Sequence, residues 1–286
     1  MARILAVGNA TLDIINVVDG FPPEDAEVRA IAQHHRRGGN TANTLVALSQ
    51  LGHQCAWAGT LADEPDAQFI RDDLAHYSIG MHAVHVAITG KVPTSYITLN
   101  QQNGSRTIVH YRDLDEYPSE AFEKIDLHPF DWLHFEGRNL DAIERMLQHA
   151  VKSRPQLPRS IEIEKPRPGI ERLFPLANVL LFSKGYAQHR GFANATDFLQ
   201  AEIDTSKHAK LICAWGEQGA YAIEDSSDVL FTVAHPPQKV VDTIGAGDVF
   251  NAGVIDALVK GNTLAQAIVA AAKLAGRKCG GEGITF

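Results

Sequence analysis

Asp242–Asp248 brings three small residues and a terminal carboxylate together just before an apolar run with helical spacing. The two valines before it predict the end of a strand, and the apolar positions after it predict a helix. Gly245, Ala246 and Gly247 would then lie at a helix N-terminus, where unpaired amides and the helix dipole favour an anion such as a phosphate. Asp248 lies in the first helical turn and could accept a proton from a hydroxyl that attacks this phosphate. The segment therefore predicts a phosphoryl-transfer site.

The same residues are also compatible with a structural turn that ends in a capping aspartate, because aspartate is favoured near helix starts. A second segment favours the catalytic interpretation. Asn40 and Asn43 lie three residues apart where another helical run begins, so both amides can face one side. Gly39 precedes them and allows a ligand to approach the backbone closely. Together they suit a polyol ligand, although an asparagine-capped helix after a flexible turn would explain them equally well.

Further polar residues and glycines follow apolar strands, at the sheet edge where α/β proteins bind ligands. Asp13 follows the first strand and is placed to accept hydrogen bonds from hydroxyl groups. Arg138 follows the strand Trp132–Phe135, and its guanidinium would suit a phosphate. Gly216 and Gly219 follow a later strand and would let a nucleotide lie against the backbone, although alone they predict only a turn.

Apolar, β-branched runs alternate with helix-like runs along most of the chain, which is typical of a three-layer α/β fold with a mostly parallel sheet. We expect one domain over residues 1–286. Two segments, about 12–37 and 86–111, break the alternation with strand-like pieces and turn signals such as Asn103-Gly104. They predict a small antiparallel β lid over the strand ends, although an ordinary surface hairpin is the alternative.

Composition narrows the possible partners. The net charge of −8 argues against nucleic acid, which requires a basic face. The longest alanine-rich run, Ala265 to Ala275, is far below the roughly 20 apolar residues that span a bilayer. No secretory signal is visible, so we expect a cytoplasmic protein without a membrane partner. Three cysteines without a Cys-x-x-Cys pair fit a reducing compartment and argue against a zinc site.

The chain resembles the ribokinase-like (PfkB) carbohydrate kinases over nearly its whole length. The two signature motifs of this family correspond, in the same order, to Gly38–Asn43 and Asp242–Asp248. Other stretches are similar to the branch that phosphorylates ketohexoses: Gly20–Glu27, Arg36–Asn43, Gly104–Ile108, Glu136–Asn139, Glu162–Arg167, Cys213–Trp215, Val240–Asn251 and Lys278–Gly280. The resemblance implies an ATP-dependent kinase that transfers the γ-phosphoryl group to a ketose, fructose on C1 being the expected case. Another sugar, a nucleoside, or a degenerate kinase that only senses its ligands are the alternatives.

The resemblance also implies a role for each matching residue. The sugar would be held by Asp13, Gly39, Asn40 and Asn43, and by Asp25 from the lid of a partner chain in a homodimer. Asp248 would be the base, and the amides of Gly245, Ala246 and Gly247 would hold the transferring phosphoryl group. Arg106 would contact phosphate or the closing lid, and the nucleotide would be surrounded by Lys184, Trp215, Gly216 and Gly219.

Two metal expectations follow from the resemblance. Asp242 matches a position associated with a monovalent cation such as K⁺, although a polar strand-end role is an equal alternative. Many family members carry an Asn-x-x-Glu motif for the magnesium–phosphate network, whereas Phe182–Ala187 departs from it here. We therefore expect Mg²⁺ to be held mainly by ATP phosphates and water, in keeping with its reluctance to dehydrate.

Overall fold

The computed structural model describes residues 1–206, 208–225 and 228–286. The strands are β1 Arg3–Val7, β2 Thr11–Val18, β3 Ala32–Gly38, β4 Gln54–Ala58, β5 Thr60–Ala62, β6 His85–Ala87, β7 Thr94–Asn100, β8 Arg106–Tyr111, β9 Trp132–Glu136, β10 Arg159–Ile163, β11 Val179–Ser183, β12 Lys210–Ala214, β13 Ala220–Ile223 and β14 Leu230–Thr232. The helices are α1 Asn40–Gln50, α2 Pro65–His76, α3 Ser119–Phe122, α4 Leu140–Ser153, α5 Lys184–His189, α6 Ala195–Glu202, α7 Ala246–Val259 and α8 Leu264–Cys279. Short 3₁₀ turns lie at Ile170–Leu176 and Gly216–Gln218.

The main sheet has the order β14-β13-β12-β11-β10-β9-β1-β4 within the described residues. The strands from β12 to β4 pair in parallel, and β13 and β14 are antiparallel additions at one edge. Alternate residues of β1 enter two cores: Ile4 packs with α1, α7 and α8, and Leu5 packs with α4 and α6. Helices therefore cover both faces of the sheet, and the predicted three-layer fold is confirmed.

A second sheet, of order β3-β2-β7-β8, lies in the two segments where a lid was predicted, and it is called the lid below. Its β2–β3 and β7–β8 pairs are antiparallel, whereas β2 and β7 run parallel. Residues 85–87, at the start of the second expected lid segment, instead pair with β5 in a separate two-stranded sheet. Every residue of the outer strand β8 is largely exposed, although His110 contacts Ser95 on β7 at 3.2 Å.

The segment before α7 differs from the sequence prediction. Val240 and Val241 were expected to end a strand, but neither belongs to one, and both side chains are about half exposed, at 56% and 48%. The Val241 amide donates instead to the Cys279 carbonyl at the end of α8, at 2.8 Å. The β-branched residue type was the signal for a strand, and this contact with a helix end overrode it. The helix itself begins at Ala246, within the Gly245–Gly247 segment that was predicted to lie at a helix N-terminus.

Candidate active site

Gly245 forms the turn that starts α7. Its φ of 75° is left-handed, a conformation that glycine adopts without the steric cost of a side chain. The Ala246 amide donates to the Thr243 carbonyl at 3.2 Å, so the turn uses one of the three amides that were expected to face a phosphate. Gly247 is exposed, and a Cβ built on it would meet no atom within 4 Å. Gly247 therefore lies in the first turn of α7, next to open space, and an anion could approach the backbone amides there.

Asp248 is buried one residue further along this turn, with 7% of its surface exposed. Asn43, on α1, donates its Nδ2 to Asp248 Oδ2 at 2.6 Å. Arg37, on β3, donates in turn to Asn43 Oδ1 at 2.7 Å. This second bond fixes the orientation of the Asn43 amide, because only its nitrogen end can donate to a carboxylate. Two segments about 200 residues apart in sequence thus meet at one carboxylate.

Burial is the main cause of the altered acidity of Asp248, and it raises the pKa of this carboxyl to about 7. The hydrogen bond from Asn43 acts in the opposite direction, and the negative charges of Glu164 and Glu136 raise the pKa further. A base is most useful when its pKa lies near the working pH, because it is then both deprotonated and able to hold a proton. The pKa of Asp248 meets that condition.

A second buried carboxyl, Glu162, lies near Asp248 and was not among the predicted site residues. Its Oε1 accepts from Asn40 at 3.2 Å and from Asn251 at 3.1 Å. Its Oε2 is buried without a partner among the described residues. Burial, reinforced by the charge of Asp248, raises the pKa of Glu162 well above its ordinary value. The available signal in the sequence was a charged residue between two isoleucines, Ile161 and Ile163.

A cleft of about 460 Å³ lies between the lid and the start of α7. The predicted site residues that line it are Asp13, Gly39, Asn40, Asn43, Asp242, Gly245 and Asp248. The two halves of the expected site therefore face each other across one space, although they lie far apart in sequence. Burial raises the pKa of Asp13, while hydrogen bonds from Ser95 and Thr11 oppose that shift. These bonds orient the carboxylate at the wall of the cleft that β2 forms.

Three other predicted residues lie outside this cleft. Arg106 lines a neighbouring cavity of about 560 Å³, which shares Asp242 with the cleft. Asp25 is exposed on the loop between β2 and β3, with a left-handed φ of 62°. Arg138 pairs with Glu116 at 2.8 Å and Glu136 at 3.3 Å, so its guanidinium is engaged by carboxylates.

The predicted nucleotide residues lie at the ends of two neighbouring strands, β11 and β12. The Lys184 ammonium lies 5.8 Å from the centre of the buried Trp215 ring, within the range of a cation–π contact. Gly219 closes a tight turn, in which its carbonyl accepts from the Trp215 amide at 2.8 Å. A Cβ at Gly219 would lie 2.0 Å from the Thr232 carbonyl oxygen, which gives this glycine a packing role. Gly216 has open space around it.

The Asp242 carboxylate does not fit a monovalent cation. Its Oδ1 accepts from the Ile244 amide at 2.8 Å, and its Oδ2 accepts from the Gly283 amide at 3.1 Å. Two positively charged side chains, Arg36 and Lys278, also lie within 3.3 Å and 3.6 Å of Oδ2. Both oxygens of this carboxylate already accept hydrogen bonds, and the two nearby cations offset its charge and would repel a third cation such as K⁺.

Among residues 1–206, 208–225 and 228–286, no group of three or more His, Cys, Asp or Glu side chains could hold a metal ion. None of the helices in the described part of the chain is long and apolar enough to cross a membrane.

Comparison with known proteins agrees with this geometry. The pfkB family carbohydrate kinase model matches residues 1–286. Ketohexokinase from Mus musculus is 42% identical, covering 98% of this chain and 97% of its own. Two solved structures share the fold at lower identity. Ribokinase from Cryptococcus neoformans in complex with ADP has a TM-score of 0.77 at 21% identity and covers 99% of this chain and 94% of its own.

The second structure is Arabidopsis thaliana ribokinase complexed with ribose and ATP, which has a TM-score of 0.81 at 17% identity. The match covers 99% of this chain and 94% of the ribokinase. At these identities the two structures establish the fold alone, whereas the family match spans the whole chain and the mouse relative nearly all of it. The chain therefore belongs to the pfkB family and is an ATP-dependent carbohydrate kinase.

Proposed function

We propose that this kinase transfers the γ-phosphoryl group of ATP to a primary hydroxyl of a ketose, converting fructose to fructose 1-phosphate. The observation that carries the proposal is the buried Asp248–Asn43 pair, which faces Asp13 across the cleft. The 42% identity with mouse ketohexokinase supports a ketohexose as the acceptor. Amide and carboxylate groups on both walls suit a ligand that is covered with hydroxyl groups.

Asp248 acts as the general base in this proposal. Its carboxylate accepts the proton as the sugar oxygen attacks, a new P–O bond forms, and the bond between the γ-phosphorus and the ADP oxygen breaks. The amides at the start of α7 stabilise the charge on the equatorial oxygens, because they are already oriented before the reaction. Magnesium accompanies the ATP phosphates as part of the nucleotide substrate. ADP and the sugar phosphate then leave.

Phosphorus NMR of a reaction with ATP and fructose tests the acceptor and the position together. We expect a sugar-phosphate resonance coupled to the two C1 methylene protons, with ADP formed in equal amount. A resonance coupled to the C6 protons would contradict the position, and no sugar phosphate would contradict fructose as the acceptor. A panel of other sugars and nucleosides, followed by ADP release, identifies the acceptor in that case.

The pKa of Asp248 predicts how the reaction depends on pH. The base works only when deprotonated, so kcat/KM for the sugar should rise through about pH 7 and level off above it. Asn43→Ala removes the hydrogen bond that lowers this pKa, so the rise should move to higher pH. A pH–rate series for the two enzymes measures both effects. A rise at the same pH in Asn43→Ala would show that a different group titrates.

We also infer a homodimer that forms through the lids. The outer lid strand β8 exposes Ile108, Val109 and Tyr111 by 50%, 65% and 48%. Such a strand presents both an open edge and apolar side chains, which native proteins usually cover. Among the described residues, no hydrogen bond or ion pair engages the Asp25 carboxylate, which would then be free to reach the sugar in the partner subunit.

A further inference from the structure

Lys278 is a fully buried lysine that the proposed mechanism does not use. It lies in the last turn of α8, and its Nζ donates to the Asp242 carbonyl oxygen at 2.6 Å. The same Nζ is 3.6 Å from Asp242 Oδ2. Lysine is almost never fully buried unless a partner compensates its charge. Both oxygens that surround this ammonium therefore come from the first residue of the motif that ends at Asp248.

Asp242 in turn shapes the chain that leads into α7. Its Oδ1 accepts from the Ile244 amide two residues ahead, which closes a local turn. Its Oδ2 accepts from the Gly283 amide, beyond the end of α8. The Asp242 main chain is also tied to α8, because its amide donates to the Cys279 carbonyl at 3.4 Å. The turn at residues 242–245 is thus fixed by contacts that converge on Asp242, the residue that the Lys278 ammonium contacts.

Asp242 and the helix end favour a positive charge at this point, whereas burial and the nearby Arg36 oppose it. The carboxylate of Asp242 is only 13% exposed, so its attraction to a nearby cation is weakly screened. The C-terminal end of a helix carries partial negative charge, and Lys278 lies in the final turn of α8. Burial lowers the pKa of Lys278, and the adjacent Asp242 opposes this shift by favouring the charged form.

We propose that Lys278 is a positioning residue for phosphoryl transfer. Its ammonium, bonded to Asp242, holds the turn at residues 242–245 so that the amides at the start of α7 face the transferring phosphate. It serves as a cation built into the fold, beside Asp242, the residue for which the family resemblance implied a monovalent cation. The proposal rests on the proposed function, in which these amides stabilise the phosphoryl group.

Lys278→Ala tests this role because it removes the ammonium and leaves a space. We expect kcat to fall about tenfold or more, since removing one oxyanion donor outright costs roughly 10²–10³ and misplacing the donors costs a part of that. KM for the sugar should change little, because Asp13 and Asn40 are untouched. Adding n-propylammonium, which reproduces the deleted atoms, should restore part of kcat, whereas sodium chloride of equal ionic strength should not.

Lys278→Met separates the charge from the packing. Methionine fills the space, and an apolar replacement of a buried ion pair often preserves folding, so this variant should stay folded. It should show the same low kcat without rescue by n-propylammonium. Lys273→Ala, which changes an exposed lysine of the same helix, should match the wild-type enzyme. A folded Lys278→Met enzyme with wild-type kcat would overturn the proposal, as would a loss in Lys278→Ala that the amine does not restore.

A binding measurement keeps this inference distinguishable from the proposed function. Calorimetric titration with ADP and with a non-hydrolysable ATP analogue reports how much the γ-phosphate adds to affinity. In Lys278→Ala that increment should shrink, while ADP affinity stays the same. An unchanged increment counts against Lys278 even if no sugar is turned over, whereas absent turnover in the wild-type enzyme with fructose counts against the proposed function alone.

Discussion

Asp248→Asn should lower kcat by roughly a hundredfold to ten-thousandfold, the usual range for the loss of a general base. The amide keeps the size of the carboxyl group but cannot accept the proton from the sugar hydroxyl. KM for the sugar should change much less, because the walls formed by Asp13, Asn40 and Gly39 remain. Steady-state kinetics with ATP and fructose, together with the melting temperature, measure the effect.

Asp256→Asn is the matched control for this variant. Asp256 lies on the same helix, where its carboxylate pairs with His53 at 2.8 Å and Lys260 at 2.6 Å. It does not line the cleft. This change should affect the melting temperature and leave kcat near its wild-type value. Turnover in Asp248→Asn that equals the wild type would exclude Asp248 as the base, and equal losses in both variants would point to a general effect on the helix.

Gly39→Ala is expected to have the second largest effect. Gly39 has a left-handed φ of 98°, and an added Cβ would lie 2.3 Å from the Asn9 carbonyl oxygen. An ordinary contact begins at 3.4 Å, so the backbone would have to shift by about 1 Å where α1 begins. A displacement of 1 Å in a catalytic group can cost about a hundredfold in rate. A shift at the start of α1 would move Asn43, which lies on this helix and orients Asp248. We therefore expect kcat/KM for the sugar to fall by about a hundredfold.

Gly52→Ala provides the comparison for strain without a clash. Gly52 lies just beyond the other end of α1, with a φ of 89° and no atom within 4 Å of an added Cβ. The left-handed conformation alone costs a side chain about 1 kcal/mol, which lowers the melting temperature of a chain of this size by about 2–4 °C. Gly52→Ala should show that shift and normal kinetics. If Gly39→Ala had the same melting temperature and the same kinetics as Gly52→Ala, the close packing at Gly39 would have no functional importance.

The predicted fold follows from patterns that each lie within a short stretch of sequence. Apolar strands, helical spacing and glycine turns are local signals, and they predicted the three-layer architecture and the start of α7. The lid was predicted from its turn signals, but the pairing of β6 with β5 was not. Whether residues 85–87 join the lid or another strand depends on tertiary packing, which a local pattern does not contain.

Site residues could be predicted from sequence where a single motif contains the reacting groups. They could not be predicted where their role depends on partners that are distant in sequence. Asp248 and Asn43 could each be identified from their own segments. The roles of Glu162, Arg37 and Lys278 could not, because each depends on which charged groups the fold brings near it. All three are charged side chains that the fold buries, but only Glu162, between Ile161 and Ile163, has apolar neighbours in sequence that indicate burial.

Arg37 has a mechanical consequence for the lid. Its guanidinium bonds to Asn43 on α1 and also pairs with Asp73 on α2, and its side chain is only 4% exposed. The strand β3 is thus clamped at the end where it enters α1, whereas its outer residues, such as His34 and His35, are exposed. A strand that is held at one end is displaced most at its other end. We therefore expect any movement of the lid on sugar binding to be largest at the outer end of β3 and smallest at Arg37, so that the Asn43–Asp248 pair stays in place.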